Sequence, residues 1–183
     1  MKTLNQIKMN KFIFVVLALL TSTGLSAQKW NNFEISAEIG ANNGVGVERH
    51  SFAIAALNID YKISKLSRLG LGGGAGLTTG RYDKIIFPVY ARMKLYFLDS
   101  KISPFFLLNV GYTFSSSHKP GEGFGVMFAP YLGVDFSFFK NNGFYAMVGT
   151  NYQSHIVFNN TNINSDYINK FLWGPQVLVG YRF

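Results

Sequence analysis

A length of 183 residues suits one domain. The formal net charge of +8 and sequence pI of about 9.7 would, in a well-solvated protein, point toward nucleic acid. Charged residues make up only 14% of the chain while aromatics reach 16%, with 18 Phe, 10 Tyr and 19 Gly, which excludes that class and suits a sheet facing hydrocarbon. Cysteine is absent, so there is no disulfide framework, no thiolate metal site and no lipid-bearing cysteine.

The first segment reads as an export address. Lys2, Lys8 and Lys11 precede an unbroken apolar run from Phe12 to Leu20, and small and polar residues follow as far as Ser26-Ala27. That order predicts a secretory signal over 1–27, cleaved after Ala27, with translation starting at Met1 or Met9. The apolar run of nine residues is too short to cross a bilayer of about 30 Å as a helix. Cleavage leaves a domain over 28–183 with 14 bases against nine acids, a charge of +5.

The mature chain then alternates polar and apolar residues in strand-length units. Strands are predicted at about 31–42, 51–63, 68–78, 86–97, 104–115, 124–138, 143–154 and 170–183. In the first, Phe33, Ile35, Ala37 and Ile39 oppose Glu34, Ser36 and Glu38. In the fourth, Phe87, Val89, Ala91, Met93, Leu95 and Phe97 oppose Tyr90, Arg92, Lys94 and Tyr96. A soluble sandwich would show similar alternation, but the connections separate the classes. Those after strands two, four and six are short (64–67, 98–103, 139–142). Those after strands one, five and seven are longer and polar (43–50, 116–123, 155–169), and the one over 79–85 is intermediate. Short turns alternating with long loops predict an all-β, eight-stranded antiparallel transmembrane up-and-down barrel, with the short turns in the periplasm. Hydrocarbon cannot solvate an open sheet edge, so the last strand must pair with the first.

The chain ends Val177-Leu178-Val179-Gly180-Tyr181-Arg182-Phe183, with apolar residues at every second position up to a terminal Phe. Phe87 to Leu98 is followed by Ile102-Ser103-Pro104-Phe105-Phe106 and Asn109-Val110-Gly111-Tyr112. These segments resemble the small outer-membrane β-barrel domain family related to OmpA and OmpX. The resemblance implies the outer membrane of a Gram-negative bacterium. It also implies that Val179, Tyr181 and Phe183 form the signal read by the barrel-assembly machinery. It brings no catalytic residues, and no peptidoglycan-binding domain is expected after the barrel.

With the polar face inward, the charged interior positions are Glu34, Glu38, Asp60, Lys62, Arg92, Lys94, Asp135 and Arg182, a neutral set expected to form a structural ion network. All lie toward the predicted periplasmic half of their strands. Phe52, Ile54 and Ala56 of strand two would also face inward. Eight strands leave room for side chains but not for an aqueous channel. The run Gly70-Leu71-Gly72-Gly73-Gly74-Ala75-Gly76 lacks the helix a dinucleotide loop needs, and no cofactor is expected; it reads as strand glycine that lets neighbouring side chains pack closely. Trp30, Tyr61, Phe97, Tyr112, Tyr152 and Trp173 read as interfacial girdles.

Enzymatic function would need a rim nucleophile. His50, His118 and His155 fall in predicted external loops, with Ser117, Ser154, Glu48 and Glu122 nearby, but adjacent Ser-His residues on a strand point to opposite sides. Their spacing also matches no metal motif. Arg49, Arg81, Lys84, Lys119 and Lys170 could neutralise lipopolysaccharide phosphates, and the long 155–169 loop with Asn159-Asn160-Thr161-Asn162 offers a recognition surface. The reading is a monomeric, non-enzymatic outer-membrane protein with a structural or surface-interaction role, in contact with lipid and lipopolysaccharide and not with nucleic acid. A narrow porin-like channel ranks second and a lipid A-modifying hydrolase third.

Overall fold

Every second residue of each predicted strand is apolar, so the chain can bury its backbone only by pairing strands edge to edge with one face turned outward. The computed structural model describes residues 32–45, 51–79, 85–116, 123–138, 142–161 and 164–183. They form eight strands: β1 Phe33–Asn42, β2 Ser51–Lys62, β3 Ser67–Thr79, β4 Ile85–Tyr96, β5 Ile102–Ser115, β6 Gly123–Ser137, β7 Gly143–Thr161 and β8 Asn164–Arg182. Each pairs antiparallel with its sequence neighbour, and β8 returns to β1, closing the barrel. Closure runs from Ser36↔Arg182 to Asn42↔Gln176. Three further backbone bonds extend it, from Phe183 N to Ile35 O, Asn43 N to Pro175 O and Val45 N to Trp173 O, each 3.0 Å. The segment 1–27 and Trp30 lie outside the described residues, and no helix among the described residues is long and apolar enough to cross a membrane.

Strand length fits a bilayer. Twelve residues of β4, at about 3.3 Å each and tilted by about 40°, rise roughly 30 Å. The outer face carries exposed Ile39, Leu71, Val126 and Leu132. Aromatic contacts lie at both ends of it. Phe138, Phe144, Tyr181 and Phe183 touch in series near the short turns, and Tyr112–Phe114 and Phe128–Tyr152 lie toward the opposite end.

Within the expected 155–169 loop, residues 155–161 and 164–169 are strand. The β7–β8 ladder continues through it from His155↔Lys170 to Thr161↔Asn164. Ile156, Val157 and Phe158 stand opposite Asn169, Ile168 and Tyr167, and these β-branched and aromatic residues favour a ladder over irregular chain. Asparagine-rich composition at the tip concealed that preference.

Two irregularities interrupt the wall. Gly125 and Val126 form a bulge in β6, between Phe124↔His155 and Met127↔Gln153. The β3–β4 ladder skips from Gly73↔Val89 to Gly76↔Ile86, where Pro88 has no N–H to give.

The β3 glycines alternate in role. Gly72 faces inward between Asn58 and Tyr90, and a Cβ there would lie 2.2 Å from Asn58 Oδ1 and 2.3 Å from the Tyr90 ring. Gly73 faces outward, and its Cβ would meet nothing closer than 3.5 Å. Gly72→Val therefore prevents closure, and the unboiled protein migrates as the unfolded chain on electrophoresis. Gly73→Val keeps the heat-modifiable band. Equal behaviour of the two would contradict this packing.

Candidate functional site

The distinctive chemistry lies inside the barrel. Glu34, Glu38, Asp60, Arg92, Lys94, Asp135 and Arg182 are all buried. Lys62 differs. It is half-buried at the end of β2 and has no ion-pair partner among the described residues. Arg68, the second residue of β3, takes the interior place instead and binds Glu34 through Nε at 2.9 Å. Arg68 is not in the interior set expected from sequence, although it shares the inward parity of Gly70 and Gly72.

The charges form two chains. In one, Glu34 accepts from Arg68 and lies 3.5 Å from Arg182 Nη1; Arg182 Nη2 reaches Asp135 at 3.3 Å, and Lys94 Nζ meets Asp135 at 3.4 Å. In the other, Arg92 Nη2 donates to Glu38 at 2.9 Å, while its Nε lies 3.4 Å from Asp60 Oδ1 without hydrogen-bond alignment. The first chain carries one surplus base and the second one surplus acid, so together they are neutral. Burying isolated charges would cost several kcal/mol each, and mutual pairing removes most of that penalty.

Glycine makes the second chain possible. Gly70 stands between Asp60 on β2 and Arg92 on β4, and a Cβ there would lie 2.0 Å from Asp60 Oδ1. Without a side chain on β3, groups two strands apart meet over the gap. The same arrangement lets Tyr90 Oη donate to Asn58 Oδ1 at 2.9 Å across Gly72.

Aromatic groups complete the shell. Lys94 Nζ lies 4.2 Å from the Tyr145 ring centroid, 4.3 Å from that of Phe105 and 5.0 Å from that of Tyr96. This cage of π-faces stabilises a cation that has a single carboxylate partner. Tyr96 Oη donates to Asp135 at 2.8 Å and Tyr145 Oη to Glu38 at 2.6 Å, so the cage also saturates the acids. Leu107, Ala129, Met147 and Leu178 pack in the same cluster as its three rings. Toward the opposite end, inward Phe52 and Ile86 pack with Ile54 and Leu172. Between these layers Tyr131 Oη donates to Gln176 at 2.7 Å. The resulting cross-section is filled by side chains.

At the short-turn end the filling stops at an open cavity of about 530 Å³. The terminal residues lie in the wall beside it, with Val179 opposite Ile39, Tyr181 opposite Ala37, and Tyr181 packed edge-on against Phe183 at 4.9 Å. Of the candidate rim residues, Glu48, His50, Ser117, His118 and Glu122 lie outside the described residues, as do Arg49, Arg81, Lys84 and Lys119. His155 and Lys170 have described backbone only.

No protein-family model matches the chain, and no curated protein matches it. Solved structures do. Neisserial surface protein A (NspA) superposes with a TM-score of 0.64 at 14% identity, covering 82% of this chain and 95% of that one. The outer membrane protein OprG from Pseudomonas aeruginosa gives 0.54 at 14% identity, covering 83% and 95%. The outer membrane enzyme PagL gives 0.53 at 15% identity, covering 80% and 97%. At such identity the similarity shows the fold, and the fold is that of small eight-stranded outer-membrane β-barrels.

Arg92→Met leaves Glu38 and Asp60 buried without their counter-charge and should destabilise the barrel by about 3–5 kcal/mol. Adding Glu38→Gln and Asp60→Asn should recover most of that loss. Urea unfolding in lipid vesicles measures both, and a neutral single variant would show that the pairs carry no weight.

Proposed function

We propose that this chain is an outer-membrane barrel, exported by the cleaved segment 1–27, whose role is structural or surface-interacting rather than catalytic. The observation that carries it is the filled interior. Arg92 and Lys94 are buried among Glu38, Asp60, Asp135 and three aromatic rings, which supports a layer filled by side chains rather than an open pore. A scaffold plugged in this way presents its outer wall to lipid and its long connections to the exterior. In this reading the connections after β1, β3 and β5 and the extended β7–β8 hairpin face outward, where Arg49, Arg81, Lys84, Lys119 and Lys170 meet lipopolysaccharide. The strand ending in Val179, Tyr181 and Phe183 serves the assembly machinery, and the barrel acts as a monomer.

A solute channel would require the ion-paired layer to open as a unit, breaking both charge chains at once. The hydrolase reading depends on His50 and His118, which lie outside the described residues, and on His155, whose side chain is not described, so no observation favours it. Planar-bilayer recording of the purified protein tests the proposal. A sealed baseline with no steady single-channel steps is expected, and sustained large conductance would overturn it.

A further inference from the structure

The cavity at the short-turn end is lined by Lys62, Lys65, Arg68, Lys101 and Arg182 against a single acid, Asp99. Much of that charge is not spent elsewhere. Arg68 and Arg182 hold Glu34 and Asp135 in the neutral layer beneath. Lys65 and Asp99 are 3.7 Å apart and both largely exposed, a weak pair. Lys62 and Lys101 have no ion-pair partner among the described residues.

Strand register sharpens the imbalance. Lys62, Arg68 and Lys94 stand directly opposite one another across β2, β3 and β4. Like charges paired across strands repel unless counter-charge is supplied. Glu34 serves Arg68 and Asp135 serves Lys94, which leaves Lys62 facing the cavity uncompensated. Arg68, only 9% exposed, and Arg182 reach the cavity floor, and behind that floor Arg68 Nη1 and Arg182 Nε are buried without a hydrogen-bond partner, so the existing carboxylates do not satisfy these two guanidinium groups in full. The Tyr96 ring, 4.3 Å from Arg68 Cζ, holds that guanidinium in place.

We propose that this vestibule binds a phosphate group. A planar guanidinium fork donates to an oxyanion, and flexible lysines add point charge around it. Inorganic phosphate presents several acceptor oxygens and close to two negative charges, and a phosphodiester headgroup presents two free oxygens sharing one charge; either is matched by convergent bases. Low-dielectric barrel walls concentrate the field at the mouth. The phosphate can be a free anion or the headgroup of a lipid at the barrel rim.

Side-chain and backbone ¹⁵N spectra of the folded full chain distinguish the sources. One arm titrates inorganic phosphate and pyrophosphate into protein in dodecyl maltoside, with sodium chloride at matched ionic strength as control. The other compares phosphatidylcholine nanodiscs with and without phosphatidylglycerol. Saturable shifts of Arg68 Nε, Lys62 and Lys101 in the first arm identify a free anion, and shifts only with phosphatidylglycerol identify a headgroup. Lys62→Gln with Lys101→Gln should weaken binding at least about tenfold while the heat-modifiable band persists. Absence of saturable shifts in both arms, shifts reproduced by sodium chloride, or unchanged affinity in the double variant each overturns the proposal.

Discussion

The structure depends on one constraint: in hydrocarbon every backbone N–H and C=O must find a partner within the chain. Seven of the eight strand interfaces are formed between consecutive strands. The remaining contact, β1 with β8, joins the two ends of the domain and cannot form until both exist. It is also the least extensive interface, running only from Ser36↔Arg182 to Asn42↔Gln176, whereas β1 pairs with β2 over its full length. The added bonds from Phe183, Asn43 and Val45 lengthen it at both ends, so the terminal residue takes part in closure itself.

Closure dictates the interior. A cylinder of eight strands encloses a space just wide enough for side chains to fill. Large groups can fill it only where something small faces them. The inward column Gly70, Gly72, Gly74 and Gly76 is that small surface, and it lets β2 and β4 contribute Asp60, Asn58, Tyr90 and Arg92 to a shared layer. Opposite it, β5, β6 and β7 supply Phe105, Tyr131 and Tyr145. Charge, aromatic cage and glycine column are therefore one packing solution. The excess of bases is displaced to the short-turn mouth, where solvent reaches them.

Much of this was legible in the sequence because a strand's period is two. Once Phe87 and Val89 are assigned to lipid, Arg92 and Lys94 have only one side left. Glu34, Glu38, Asp135 and Arg182 follow by the same parity, and the alternation of short and long connections gives strand count and topology. Partnerships were not legible, since parity fixes the side of the wall and not the height. Arg68 and Lys62 exchange roles for that reason: both face inward, but Arg68 reaches Glu34 whereas Lys62 ends at the mouth. The Lys94 cage draws on β4, β5 and β7, and no local pattern joins residues so distant in the chain. Ladder formation through 155–169 was hidden because polar asparagines outweighed Ile156, Val157 and Phe158 in a reading based on composition.

The closing contact is the most direct point of test. Ile39 and Val179 are directly opposite in the β1–β8 register, at opposite ends of the domain's sequence. Nuclear Overhauser contacts between their backbone protons, measured on the folded protein in micelles or nanodiscs, report that pairing alone. Cross-strand contacts at Ile39–Val179, with amide exchange in β1 and β8 as slow as in β4 and β5, are predicted. A spectrum with all seven hairpin pairings intact and no β1–β8 contacts would describe an open sheet, and would contradict both the closed wall and the filled interior built on it.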